Sequence, residues 1–410
     1  MEQIRDQINT TLARYLSLPL IEVVRLGQCE LSHFSVQSLR FVPQLKEIEI
    51  FNSIITELSY VEYADLFGST ADFDVATNGC SIRKLNLQRS DVRMIERNSF
   101  DNVSSLQHLD LSNNRIDNIS ASTFSIPSLE TLDFSFCLIK LIESEAFIGA
   151  TNLHELNLRV NNLETVENNT FSGTSLQLLD LSESYKLVTI EPNAFEGLSN
   201  LTKLKLYRNR ILRLDPKVLE GLKLRELYIG FLPNSTIEEG IYDKFNDLEV
   251  LQLAGSSSMS KIPAFPASVR ELNLFNNRIT SIEAADFKIL NKTNSSSNTP
   301  SRLEVLNLDS NQIATIEAYA FANLSSLRVL DINSNKISKI DEHSFAQSTV
   351  EELHVRWNGI TSIDPGSFRG RNIFTSPTLK VLYLERSISK LSAADFEDIS
   401  HVHQLYVEPY

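Results

Sequence analysis

The phrase LQHLDLSNNRI, Leu106 to Ile116, returns as LEVLNLDSNQI from Leu303 and as LRVLDINSNKI from Leu327. Aligned on the template L-x-x-L-x-L-x-x-N-x-L, the chain repeats it sixteen times, with first positions at Ile21, Leu45, Ile82, Leu106, Leu129, Leu153, Leu176, Leu201, Leu224, Leu248, Val269, Leu303, Leu327, Val350, Leu379 and Val402. Most steps are 23 to 25 residues, and a Phe follows eighteen residues after the first position at Phe100, Phe124, Phe147, Phe171, Phe287, Phe321, Phe345 and Phe368. Self-similarity at this period overrides a domain count drawn from length, because a unit this small buries its apolar face only by stacking on its neighbours.

Inside the phrase the period is two. Leu109 and Leu111 are expected to point to one side and His108, Asp110 and Ser112 to the other. Parallel strands about 4.8 Å apart then turn equivalent residues into ladders, with a long thin core behind a free face. The ninth-position amides, Asn114, Asn161, Asn209, Asn277, Asn311, Asn335 and Asn358, are expected to point inward and to bond backbone groups of adjacent turns. Ser53, Ser90, Ser184, Ser256 and Ser387 replace Asn in irregular turns, and Cys29 and Cys137 hold the position as buried structural thiols. Cys80, in an insertion, reads as a spare loop thiol, with pairing to another chain as the alternative.

These phrases resemble the leucine-rich repeat family in its extracellular variety of about 24 residues per turn, as in Toll-type receptor ectodomains and secreted arthropod matrix proteins. The match runs over roughly residues 21 to 409. The resemblance implies an α/β solenoid: a horseshoe of about sixteen repeats, with a parallel sheet on the concave face and loops or short helical turns on the convex face. The solenoid is placed at 21–401, with insertions near 63–81, 289–301 and 369–378. Ile4, Ile8, Leu12 and Leu16, at spacing four, predict an amphipathic helical cap over 1–20. Residues 402–410 read as an incomplete last repeat, whose exposed end a partner could cover.

Composition narrows the function. A formal charge of −14 argues against nucleic acid, whose binding rests on clustered Lys and Arg. No apolar run reaches the roughly 18 residues of a membrane span. The opening MEQIRDQINTTLARYLSLPL has charges where a signal peptide carries its apolar stretch, so the chain reads as N-terminally incomplete if it is secreted. Asn-x-Ser/Thr acceptors stand at Asn9, Asn102, Asn118, Asn168, Asn200, Asn234, Asn291, Asn294 and Asn323, none on an outward strand position in this register, so that sugars there would leave the concave sheet bare.

No catalytic motif stands out, and no cofactor or metal is expected. Asp110, Asp133 and Asp180 share the fifth position, but an open solvated sheet gives carboxylates no burial to hold one protonated, so they read as a solvated face or a docking site for a basic partner. His401 and His403 lack a third ligand. Aromatic and Arg side chains, which concentrate binding energy, form two outward clusters. The central one holds Lys203, Lys205, Tyr207, Arg208, Arg225, Tyr228, Phe231 and Phe275; the terminal one holds His354, Arg356, Trp357, Tyr383, Arg386 and Tyr406. The expectation is a non-enzymatic module that binds a protein or surface glycan on the concave face, outside the cell or on its surface. The alternatives are a non-catalytic accessory subunit of an enzyme complex, as in luciferase-associated members of the family, and a cytoplasmic scaffold.

Overall fold

The computed structural model describes residues 22–28, 30–34, 45–58, 82–101, 103–232, 236–237, 241–242, 244–256, 258–287, 301–368, 378–385 and 402–408. The expected cap, nearly all of the three insertions, Cys29, Cys80, Arg386, Ser387, His401 and the acceptors Asn9, Asn102, Asn234, Asn291 and Asn294 lie outside the described residues. Two compact units emerge, one of residues 1–210 with 217–222, the other of residues 211–216 with 223–410.

In the first unit eight parallel strands follow one another in chain order: Val23–Gly27, Glu47–Phe51, Lys84–Asn86, His108–Asp110, Thr131–Asp133, Glu155–Asn157, Leu178–Asp180 and Lys203–Lys205. The second unit repeats the scheme with Glu226–Tyr228, Val250–Gln252, Glu271–Asn273, Val305–Asn307, Val329–Asp331, Glu352–His354, Val381–Glu385 and Gln404–Glu408. Register is strictly in phase, so Leu109 faces Leu132, Leu132 faces Leu156 and Leu156 faces Leu179. All four are buried, while the residues on either side of each are half-buried or exposed, except Asp180, which is buried and departs from the expected solvated face. A one-residue slip would send the whole column to solvent, which is why this alternation fixes the pairing.

Opposite the main sheet the first two turns carry five-residue strands, Glu30–Phe34 and Ile54–Leu58, and eleven of the later turns carry two-residue strands. Those of the first unit are Met94–Ile95, Asn118–Ile119, Leu141–Ile142, Thr165–Val166 and Thr189–Ile190. Those of the second are Arg213–Leu214, Thr236–Ile237, Ser281–Ile282, Thr315–Ile316, Lys339–Ile340 and Ser362–Ile363. Wherever the side chains are described, the second residue is buried and the first faces outward. Of the loops or helical turns expected here, loops prevail: among the described residues the only helix is the 3-10 turn Ala284–Phe287.

The closing Phe side chains form spines. Phe100, Phe124, Phe147, Phe171 and Phe195 follow one another in the first unit at ring centroid separations of 5.3, 5.9, 6.2 and 6.0 Å. In the second unit Phe287, Phe321, Phe345 and Phe368 do so at 5.8, 5.5 and 5.2 Å. Phe195 stands one place later than the eighteen-residue rule, because its turn holds one extra residue before the short strand.

The ninth-position amides tie turn to turn. Asn335 donates from Nδ2 to the Leu308 carbonyl of the preceding turn and to Ile332 of its own, both at 3.0 Å, while its Oδ1 accepts the Ile313 N–H at 2.9 Å. Asn114, Asn161, Asn209, Asn277, Asn311 and Asn358 repeat this pattern of one donor bond backward, one at home and one acceptor bond backward. Cys137 reaches the Leu111 carbonyl at 3.3 Å from a buried thiol, and burial pushes its pKa up to about 12. The shorter Ser184 and Ser256 hydroxyls are buried and find no partner among the described residues.

Candidate functional site

The acidic positions have a local duty. At the fifth position Asp110, Asp133 and Asp180 each accept, through Oδ1, the backbone N–H of the residue two further on, from Ser112 at 2.9 Å, Ser135 at 2.7 Å and Ser182 at 3.0 Å. Asn86, Asn157, Asn273, Asn307 and Asp331 do the same for Gln88, Arg159, Phe275, Asp309 and Asn333. Asn and Asp share this acceptor and differ in charge, so the pattern selects an oxygen that caps the chain as it leaves the strand. Two of the remaining oxygens are engaged as well: Asp133 Oδ2 accepts Asn157 Nδ2 at 2.9 Å, and Asp180 Oδ2 pairs with Lys205 Nζ at 3.0 Å. Sequence reasoning missed this role. The recurrence of Asn beside Asp at one position was the signal that could have revealed it.

The central cluster divides between the units. Lys203, Lys205, Tyr207 and Arg208 belong to the first. There Lys205 is ion-paired with Asp180, and Arg208 stands 3.9 Å from Glu183, which also binds Arg159 at 2.8 Å. Arg225, Tyr228, Phe231 and Phe275 belong to the second unit, where Arg225 pairs with Glu249 at 3.5 Å and the Tyr228 hydroxyl donates to Glu226 at 2.8 Å. Phe231 lies over Gly255, and a Cβ there would come within 2.3 Å of the Phe231 ring.

The terminal cluster is brought together. His354, Tyr383 and Tyr406 occupy the fifth position of the last three turns, in direct strand register. Their rings stack at centroid distances of 4.2 and 4.7 Å with interplanar angles of 16° and 9°. The Arg356 guanidinium lies 4.5 Å from the Tyr383 ring centroid, a cation–π contact. Burial against these neighbours, more than the charge of Glu352, raises the Tyr383 hydroxyl above the ordinary tyrosine range. His354 is fixed by Glu352 Oε1 at 2.9 Å. None of the three fifth-position residues can supply the Asx cap, and Asn333 in the preceding turn substitutes, its Oδ1 accepting the Arg356 N–H at 2.7 Å. Beside them Trp357 is 55% exposed. Its backbone has φ +55°, the left-handed conformation that recurs at this place in the turn whatever the residue, at Asn113 and Ser334 as at Phe136, Val160 and Phe231. A bulky residue in that left-handed region costs about 1–2 kcal/mol.

Among the described residues no group of three or more His, Cys, Asp or Glu is placed to hold a metal ion, and no helix is long and apolar enough to cross a membrane. A hollow on the first unit's sheet face, lined in part by Glu47, Glu49, His108 and Glu155, is shallow and includes the capping residues Asp110 and Asp133.

The family described as BspA type leucine rich repeat region matches in six copies over residues 74–202, and a second leucine rich repeat family matches residues 174–231 and 301–350. Human Toll-like receptor 8 is 30% identical over 153 residues, 33% of this chain and 15% of the receptor. Decorin from Equus caballus is 29% identical over 126 residues, 30% of this chain and 32% of decorin. The chain thus spans a third or less of the length of these curated relatives. In the solved Drosophila Toll–Spatzle complex a chain superimposes with TM-score 0.66 at 17% identity, covering 85% of this chain and 48% of that one. The LRIM1/APL1C complex gives TM-score 0.64 at 18% identity over 94% of this chain and 69% of the other.

Proposed function

Because the chain is a leucine-rich repeat protein, we propose that it is a non-enzymatic recognition module that binds a protein partner on its sheet face, outside the cell or at its surface. The observation that carries this reading is the His354–Tyr383–Tyr406 stack with Arg356 over it. Such a surface has little ordering left to do on binding, since each ring is held by the next and the backbone beneath is locked by ladder bonds. Trp357, next to Arg356 in the chain, adds an exposed indole, and Trp, Tyr and Arg are the residue types on which interfaces concentrate their energy.

Support for the setting comes from the receptor among the relatives and from two structural neighbours solved as complexes. The acceptor sequences at Asn118, Asn168, Asn200 and Asn323 all lie off the main strands, which leaves the sheet face clear if they carry sugars.

Affinity capture from extracellular fluid with the intact chain, followed by mass spectrometry, tests the proposal. A partner retained by the native chain should be lost by more than about tenfold on Tyr383→Ala or His354→Ala, with thermal unfolding little moved. Equal capture by both variants would remove the terminal stack from the function.

A further inference from the structure

The short strands opposite the main sheet present one outward residue per turn, and in ten of the eleven turns that residue is Thr, Ser, Arg, Lys, Met or Leu. Only two of them are large and apolar, Met94 and Leu141, which are 52% and 40% exposed. They stand on successive turns either side of the eleventh, Asn118, which faces Leu141 in direct strand register. Asn118 is exposed, its neighbour Ile119 is buried, and Ser120 completes an Asn-x-Ser acceptor.

We propose that Asn118 is N-glycosylated and that the first sugars of the glycan lie across Met94 and Leu141. Both side chains leave hydrocarbon in water, and a neighbour that covers them while staying hydrated itself removes that exposure. Asn118 and Leu141 are ladder partners, about 4.8 Å apart, while Met94 holds the same place one turn earlier on a separate ladder with Glu57 as its partner; the first sugars, longer than one strand spacing, reach from Asn118 over both. N-acetylglucosamine offers a C–H face and an acetyl methyl group to cover them while its hydroxyls stay in water. Transfer joins Asn118 Nδ2 to C1 of the sugar, breaks the bond from C1 to the diphosphate of a lipid-linked oligosaccharide donor, and releases the lipid diphosphate and an amide proton. The other described acceptors lack these flanks: Asn200 and Asn323 sit in turns, and Asn168 is half-buried with its Oδ1 accepting the Asn193 N–H at 3.0 Å.

This inference rests on the extracellular reading above, and the experiment separates the two. The full chain, secreted from animal cells behind a leader sequence, is treated with peptide N-glycosidase in ¹⁸O water and its peptides are weighed. Asn118 is expected to be occupied. Peroxide oxidation of Met94, with Met259 as internal reference, then reads the contact, because a covered thioether oxidises more slowly. Ser120→Ala, which abolishes transfer and keeps Asn118, should raise the Met94 to Met259 rate ratio by about threefold or more, a scale set by the loss of cover over a half-exposed thioether. Ser120→Thr should leave the ratio unchanged. A bare Asn118 in a chain glycosylated at Asn200 or Asn323 overturns the proposal alone, as does an occupied Asn118 with an unchanged ratio. Absence of sugar at every acceptor overturns the proposal and the extracellular reading together.

Discussion

The turns from Asn86 to Asp180 and the last three turns put different chemistry at the same place in the repeat. In the former the fifth position supplies an oxygen to its own backbone. In the latter it supplies a ring to its neighbours. The comparison teaches which residues to read as signal. An Asp or Asn on this face is occupied with ending its strand, so a row of Asp is no acidic docking band by virtue of its presence. His354, Tyr383 and Tyr406 have given up that duty, and Asn333 has to reach across from the preceding turn to supply the bond Arg356 needs.

The comparison can be tested from the strongest effect downward. Asn335→Ala removes the tie common to both regions and should cost about 1–3 kcal/mol, seen as a lower denaturation midpoint; an unchanged midpoint would mean that the amide ladder is ornamental. Asp133→Ala should cost about 1–2 kcal/mol through the stranded Ser135 N–H, whereas Asp133→Asn, which keeps the acceptor, should stay within about 0.5 kcal/mol of the native chain. Equal losses from the two would restore charge as the property that matters. Trp357→Asn should raise stability by about 0.5–1 kcal/mol, since Asn tolerates the left-handed turn better, and should weaken capture of the partner. A destabilised variant would show that the indole is there for packing.

The smallest effect concerns pH. Burial raises the Cys137 thiol to about 12, above the roughly 8.5 of an unfolded thiol. The unfolded chain therefore loses that proton first, and the stabilising contribution, full below about pH 8.5, declines as pH rises toward the folded value. Urea midpoints of the native chain and Cys137→Ala, compared between neutral and alkaline pH, should converge at high pH; parallel curves would show a thiol open to solvent.

Much of the fold was legible because one phrase states the whole design. Leu109 and Leu111 set the buried columns, Asn114 the link to the preceding turn, and Phe124 the spine behind them. Phe195 escaped because a single extra residue shifts it off the period. The terminal cluster was legible as residue types on outward positions, but the stacking of His354 on Tyr383 was not, since the two lie 29 residues apart across an insertion and only strand register brings them together. The capping role of Asp110 and Asp133 stayed hidden because a sequence displays charge more plainly than it displays which backbone group an oxygen will meet.

The bonds that Asn335 and its described equivalents make with their amides run to their own turn and to the one before it. The molecule can therefore lengthen or shorten by whole turns at a genetic stroke. A duplicated segment arrives with its backward-reaching tie already in place and finds, on the older turn, the carbonyl it was made to meet. Reach along the sheet face is then a quantity that inheritance can adjust in single increments, with no redesign of what lies beneath.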